Sequence, residues 1–206
     1  MIIQLNSAGK RFNFEWILRN INYTFHSGKS YAILGPNGSG KSTFLQMIAG
    51  IISPSSGEIV FQNDREQLES ENIFSHLTIA APYQELIEEF TAAEMISFQG
   101  KFKPFLPGVS NEEVMEIALL KNESSKQIRN FSSGMKQRLK ITLAVLADVP
   151  VVLLDEPTTN LDQQGFGWYL ELLKKFSGKR LIVISSNLER EYSFCDDVID
   201  VTLFKS

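Results

Sequence analysis

The spacing of apolar and polar positions changes several times along the chain, and the changes mark its elements. Residues 2–6 read as a strand. Residues 18–25 alternate, with Ile21, Tyr23 and Phe25 on one face and Asn20, Asn22 and Thr24 on the other, the period of a half-buried antiparallel strand. Between them, residues 10–16 form a turn segment carrying the aromatics Phe12, Phe14 and Trp16. Three short runs are apolar without alternation, at residues 31–34, 151–154 and 181–184. Such runs are expected of strands buried on both faces in a parallel sheet. Residues 58–61, 77–81 and 198–204 are further strand candidates, and a turn at residues 53–57 with Pro54 and Gly57 leads into the first of these.

Helical spacing appears elsewhere. Phe44, Leu45, Met47 and Ile48 share a face, and Gly50 offers a stop. Thr91 with Glu94, and Ser110 with Glu113, fit capping boxes ahead of apolar residues, and the stretch 101–108, holding Pro104 and Pro107, separates the two helices. Leu139, Leu143, Val145 and Leu146 mark another helix. Residues 64–75 are polar and acidic, a surface segment. The pattern predicts a single α/β domain over 1–206, with a core lobe of 1–84 and 132–206 and an inserted helical lobe of about 85–131.

Composition narrows the class. With 43% hydrophobic and 21% charged residues in 206, the chain is an ordinary globular domain with one sizeable core. A net charge of −4 and a pI near 5.3 give no basic footprint, so no nucleic-acid partner is expected. The single Cys195 cannot form an internal disulfide, which suits a reducing compartment. The amino end lacks signal-peptide regions, and no run approaches the ~20 apolar residues of a membrane span. A role at a membrane would need another chain as anchor.

The candidate chemistry begins at Gly35-Pro36-Asn37-Gly38-Ser39-Gly40-Lys41-Ser42-Thr43, which fits the phosphate-binding pattern G-x-x-x-x-G-K-[ST] between a strand and a helix. Its glycines let consecutive N–H groups turn inward, the following helix adds its positive end, Lys41 a point charge and Ser42 a hydroxyl for Mg²⁺. A second landmark is Val151-Val152-Leu153-Leu154-Asp155-Glu156, a buried strand whose carboxyl end presents two carboxylates. Asp155 suits a Mg²⁺ ligand, and Glu156 a group that orients or deprotonates water. The third is Phe131-Ser132-Ser133-Gly134-Met135, small residues opening a helix; local physics fits an anion site or an ordinary Ser-capped helix equally.

The order of these pieces, with Gln84 after a strand, Gln137-Arg138 in the Ser-Gly helix, Pro157 after the carboxylates and then Asn160-Leu161-Asp162, resembles an ABC-type ATPase domain over nearly the whole chain. That resemblance implies a P-loop NTPase (RecA-like) core with a mainly parallel sheet, an antiparallel β subdomain on the amino-terminal side and an inserted helical lobe. It implies ATP and Mg²⁺ as cofactors and a head-to-tail homodimer or heterodimer with another ABC-type ATPase. It also implies a separate transmembrane permease subunit, a cytoplasmic chain lying peripherally on the membrane's cytoplasmic face, and ATP hydrolysis that powers transport. Position by position, Phe12 matches the aromatic that stacks on adenine and Gln84 the glutamine that senses Mg²⁺. Ser132, Ser133 and Gly134 match the segment facing the γ-phosphate of the opposite subunit. Asp155 matches the Mg²⁺ carboxylate, Glu156 the catalytic one, and Asp162 lies in the loop joining the two sites.

Two positions depart from the pattern. Ser133 stands where the family has Gly, implying weaker binding of the γ-phosphate across the dimer. Asn187, after the strand at 181–184, stands at the switch-histidine position; an amide donates a hydrogen bond but cannot become cationic, so slowed hydrolysis is expected. A guanine-nucleotide enzyme would need Asn-Lys-x-Asp, which is absent from the sequence. A small-molecule kinase leaves Ser132 and residues 160–162 unexplained. The stronger rival is a soluble ABC-type ATPase acting in DNA repair or translation; such proteins carry a long coiled coil or two domains per chain.

Overall fold

The computed structural model describes residues 1–63 and 66–205, so residues 64 and 65 of the expected polar segment lie outside the described residues. The chain forms two compact units. One comprises Met1–Ile79, Pro150–Asp155 and Lys179–Ser206; the other comprises Ala80–Val149 and Glu156–Gly178.

The first unit contains β1 (Ile2–Phe12), β2 (Glu15–His26), β3 (Ser30–Leu34), α1 (Lys41–Ile48), β4 (Ser56–Gln62), β5 (Gln67–Leu68), all but the last residue of β6 (Leu77–Ala80), β7 (Val151–Asp155), β8 (Leu181–Ser185) and β9 (Asp197–Asp200). They make a four-stranded sheet ordered β2-β1-β4-β5 and a five-stranded sheet ordered β6-β7-β8-β3-β9. In the first, β1 pairs antiparallel with β2 and β4; in the second, β7 with β8, β8 with β3 and β3 with β9 are parallel. This is the α/β class expected, with a mainly parallel sheet beside an antiparallel one. β3, β7 and β8 are apolar because both their faces are covered: Ala32, Ile33, Val152, Leu153, Val183 and Ile184 are all buried. Around them Phe25, Tyr31 and Phe44 fill the core, Phe25 and Tyr31 meeting edge-on with ring centroids 4.9 Å apart.

Two expectations are corrected here. Residues 10–16 are mostly strand: β1 runs to Phe12, β2 starts at Glu15, and only Asn13 and Phe14 turn, with Asn13 at φ +53° as tight hairpins require. Residues 198–204 are only half strand. The Asp200 carboxylate accepts hydrogen bonds from the Thr202 amide (2.8 Å) and hydroxyl (2.7 Å), capping a 3-10 turn that ends β9.

The second unit contains α2 (Ala92–Phe102), α3 (Asn111–Ile117), α4 (Ser133–Leu146) and α5 (Gln163–Phe176). Both capping boxes form: Thr91 Oγ1 accepts from the Glu94 amide at 3.2 Å while Glu94 accepts from the Thr91 amide at 2.8 Å, and Ser110 and Glu113 do the same. The segment after α2 is tied to the end of α4 by Leu106 N–H to the Leu146 carbonyl and Asp148 N–H to the Pro104 carbonyl, both at 2.8 Å. Helix α5 was not expected. Its signal is Asp162 as cap followed by Tyr169, Leu172 and Leu173 on one buried face. Among the described residues no helix is long and apolar enough to cross a membrane.

Candidate nucleotide-binding site

Parallel pairing places the carboxyl ends of β3, β8 and β7 side by side, with β8 in the middle: Ile33 lies opposite Ser185, and Ser185 opposite Asp155. The loop after β3, the residues after β8 and the last residue of β7 therefore emerge together at one edge of the sheet, where ligands of open parallel sheets bind. The phosphate-loop pattern, Asp155 and Asn187 are brought together by that register.

The loop itself is shaped by glycine. Gly40 caps α1 in the left-handed region at φ +100°, and a Cβ there would stand 2.8 Å from Ile17 Cγ2. Gly35 has φ +147°, and its Cβ would stand 2.5 Å from Ser39 Oγ. The chain turns back through Ser39 N–H to the Pro36 carbonyl at 3.0 Å, and the first amides of α1, as at any helix start, have no carbonyl partner within the helix. Lys41 is only 5% exposed, and its ammonium donates to the Gly35 carbonyl at 2.7 Å and the Pro36 carbonyl at 3.3 Å. Its charge is thus held over the loop by the loop's own backbone. Ser42 is exposed on the first turn of α1 and Thr43 half-buried.

Asn187 joins this group. Its amide lies 2.9 Å from the Asn37 side chain. With its oxygen and nitrogen exchanged, the nitrogen donates to the Gly35 carbonyl and the oxygen accepts from Lys41 Nζ at 3.2 Å, which leaves the group better satisfied. Asn187 therefore contacts the groups that hold the loop's cation.

Among the described residues of this unit, three buried oxygens have no hydrogen-bond partner: Ser39 Oγ, Asp155 Oδ1 and Ser185 Oγ. Asp155 is 1% exposed, and a carboxylate oxygen so buried is costly without a partner. A cation or ordered water among hard oxygen donors fits that need. Phe12 sits at the β1–β2 hairpin, 49% exposed, with Lys10 Nζ 5.4 Å from its ring centroid.

The second unit gathers the remaining candidates. Ser132 is the N-cap of α4, its Oγ accepting from the Met135 amide at 3.2 Å. Ser133 is exposed in the first turn, and Gly134 lies so close to the loop before α5 that a Cβ would stand 3.2 Å from the Asn160 carbonyl. Glu156 is half-buried and adopts a left-handed backbone at φ +45°, as does Asn160 at +68°. Asp162 caps α5, its Oδ1 accepting from the Gly165 amide at 2.8 Å. Gln84, in the turn closed by its amide on the Ala81 carbonyl at 3.1 Å, lines a cleft of about 230 Å³ with Glu85, Glu88, Ser133, Lys136 and Lys140. Burial pushes the Lys140 ammonium's pKa down, with Glu85 opposing the shift, and its Nζ donates to the Ala81 carbonyl at 3.0 Å.

Sequence reading gave no site role to two participants. Ser185 is a small hydroxyl inside a strand, with no spacing to single it out. Gln137 is buried on α4, and a polar residue four positions before the buried Ile141 was the available signal.

Comparison with known proteins bears on this arrangement. Residues 18–159 match the family model for the ABC transporter. The chain is 30% identical to the uncharacterised ABC transporter ATP-binding protein YcbN of Bacillus subtilis, over 97% of this chain and 66% of that protein, so it spans just under two thirds of that relative. It is also 30% identical to YybJ, an uncharacterised ABC transporter ATP-binding protein of the same species, over 97% of this chain and 92% of the relative. Among solved structures, the dimeric ABC transporter cassette MJ0796 superposes with a TM-score of 0.82 at 25% identity, over 97% of this chain and 94% of that one. The same cassette has a dimeric post-hydrolysis structure bound to ADP and Pi, with the same score, identity and coverage.

Proposed function

This chain belongs to the ABC transporter family, and we propose that within it the protein is the ATP-binding, ATP-hydrolysing subunit that drives a separate transmembrane permease. The observation that carries the reading is the edge formed by β3, β8 and β7. A glycine-shaped loop with a backbone-held lysine, a buried carboxylate with an unpartnered oxygen, and the Asn187 amide all face one place. A nucleoside triphosphate supplies the anion that such a loop accepts.

In this reading the loop amides of residues 35–43 and Lys41 hold the β- and γ-phosphates, and Phe12 stacks on the base. Asp155 and Ser42 would hold Mg²⁺. A site with so few protein oxygens suits a cation that keeps its waters and the substrate's phosphates. When bound, the ion would neutralise charge on the phosphates. Glu156, next in the chain after Asp155, takes the proton of a water whose oxygen bonds to the γ-phosphorus as the bond to ADP breaks. Asn187 interacts with the loop's lysine without adding positive charge, which keeps turnover slow.

Ser132, Ser133 and Gly134 serve a second copy or a related chain: α4 presents its N-terminal end, with Ser133 limiting the approach, to the γ-phosphate held there. Asp162 keeps α5 capped beside the loop that would pass between the two sites. The helical lobe, about residues 85–131, is the part that would meet the permease, and the protein would lie peripherally on the cytoplasmic face of the membrane. Phosphate release from Mg-ATP by the purified chain tests the reading. Glu156→Gln should lower the rate by about 100-fold or more while keeping nucleotide binding; equal rates in the two proteins contradict it.

A further inference from the structure

Helix α4 touches the turn after β7 at two points. Gly134 lies against the Asn160 carbonyl. Less than one helical turn further on, Gln137, 6% exposed, donates from Nε2 to the Pro157 carbonyl at 2.8 Å. The assignment of nitrogen to that contact follows from chemistry, since a proline carbonyl can only accept.

That turn is unusual in its backbone. Glu156 sits in the left-handed region at φ +45° although it carries a side chain and precedes a proline, which steers its predecessor toward extended conformations. Inside the turn, Thr159 N–H reaches the Glu156 carbonyl at 3.2 Å and Leu161 N–H the Thr158 carbonyl at 3.0 Å. Backbone in a sparsely populated region persists when its surroundings over-determine it. The Gln137 amide supplies a buried side-chain hydrogen bond to the residue immediately after the carboxylate. We propose that Gln137 is a positioning residue: by gripping Pro157 it holds Glu156 in the orientation that hydrolysis needs, and it makes that orientation depend on how α4 is seated.

The inference rests on Glu156 being the group that activates water. It adds a route by which two neighbouring positions in the first turns of α4 are linked in function. Ser132 to Gly134 form the helix start offered to a neighbouring subunit's phosphate, while Gln137 on the same helix sets the carboxylate of its own chain. A shift of α4 on engaging a partner's nucleotide would be transmitted to Glu156 through one hydrogen bond and one close backbone contact.

The test is steady-state ATP hydrolysis by the full chain carrying Gln137→Met, which keeps the side chain's length and removes the donor. The expected result is a fall in kcat of about 10- to 100-fold, as small misplacements of catalytic groups produce, with KM within about two-fold of wild type. Gln137→Leu, which also lacks a donor, should give the same split and serves if the methionine variant does not fold. In a Glu156→Gln background, Gln137→Met should lower the residual rate no further, because two residues acting through one group are not additive. A kcat within two-fold of wild type overturns the proposal, as does a parallel loss of nucleotide binding or a further fall in the Glu156→Gln background. If Glu156→Gln alone retains full turnover, the reading of Glu156 fails, and this proposal with it. If Glu156→Gln is inactive and Gln137→Met is not, only this proposal fails.

Discussion

The loop after β3 and the start of α4 are both helix beginnings made of small residues, and they are built differently. The first is shaped by backbone: glycines at positive φ, amides left free, and a lysine tied to two carbonyls of the loop itself. Its Ser39 hydroxyl oxygen is left unpaired, as is a carboxylate oxygen of Asp155 at the end of β7. The second is satisfied locally, with Ser132 capping its own helix, Asp162 capping α5, and Gln137 bonded to Pro157. One end is therefore poised to take a ligand by itself. The other has its capping hydroxyl already engaged and offers the amides of a helix start, with Ser133 exposed beside them, to an anion held elsewhere.

Substitutions can break that contrast. Lys41→Ala removes a charge held by the loop, and ATP hydrolysis measured at fixed nucleotide should fall by about 100-fold, chiefly through lost binding. Gly35→Ala adds a Cβ at 2.5 Å from Ser39 Oγ in a backbone region that side chains rarely adopt. It should destabilise the fold by about 1–3 kcal/mol and weaken nucleotide binding, read by melting with and without ATP. Ser132→Ala removes a cap. It should cost about 1 kcal/mol in denaturant unfolding while leaving binding of nucleotide to a single chain unchanged, in contrast to the loop variants. Asn187→His restores a group that can become cationic, and kcat should rise by a few-fold; an unchanged kcat would mean that the Asn187 contacts with the loop do not limit turnover.

The fold's central strands and the phosphate loop were legible because each is specified by consecutive residues. Runs such as Leu181 to Ile184 can only be covered on both faces, and Gly35 to Thr43 states its geometry in its own glycines. The hairpin at residues 10–16 was misread because aromatics and charges mask strand alternation. Its turn depends on the single residue Asn13 accepting positive φ. Residues 198–204 were misread because the Asp200 side chain competes for the backbone amide of Thr202. Helix α5 went unnoticed between two motifs, although its cap and buried face are written in the chain. Gln137 left one signal, a polar residue on a buried helix face, but its role and that of Ser185 depend on Pro157 and on β-strand register, contacts made across long stretches of chain.

The central claim is that the loop after β3 forms half of a site completed by α4 of another subunit. It is tested most directly by measuring the molar mass of the Glu156→Gln variant in solution, by light scattering after chromatography, with and without Mg-ATP. The account predicts monomer without nucleotide and a dimer retaining two ATP molecules with it, the dimer being lost on Lys41→Ala. A variant that binds ATP and stays monomeric at all protein concentrations would contradict it.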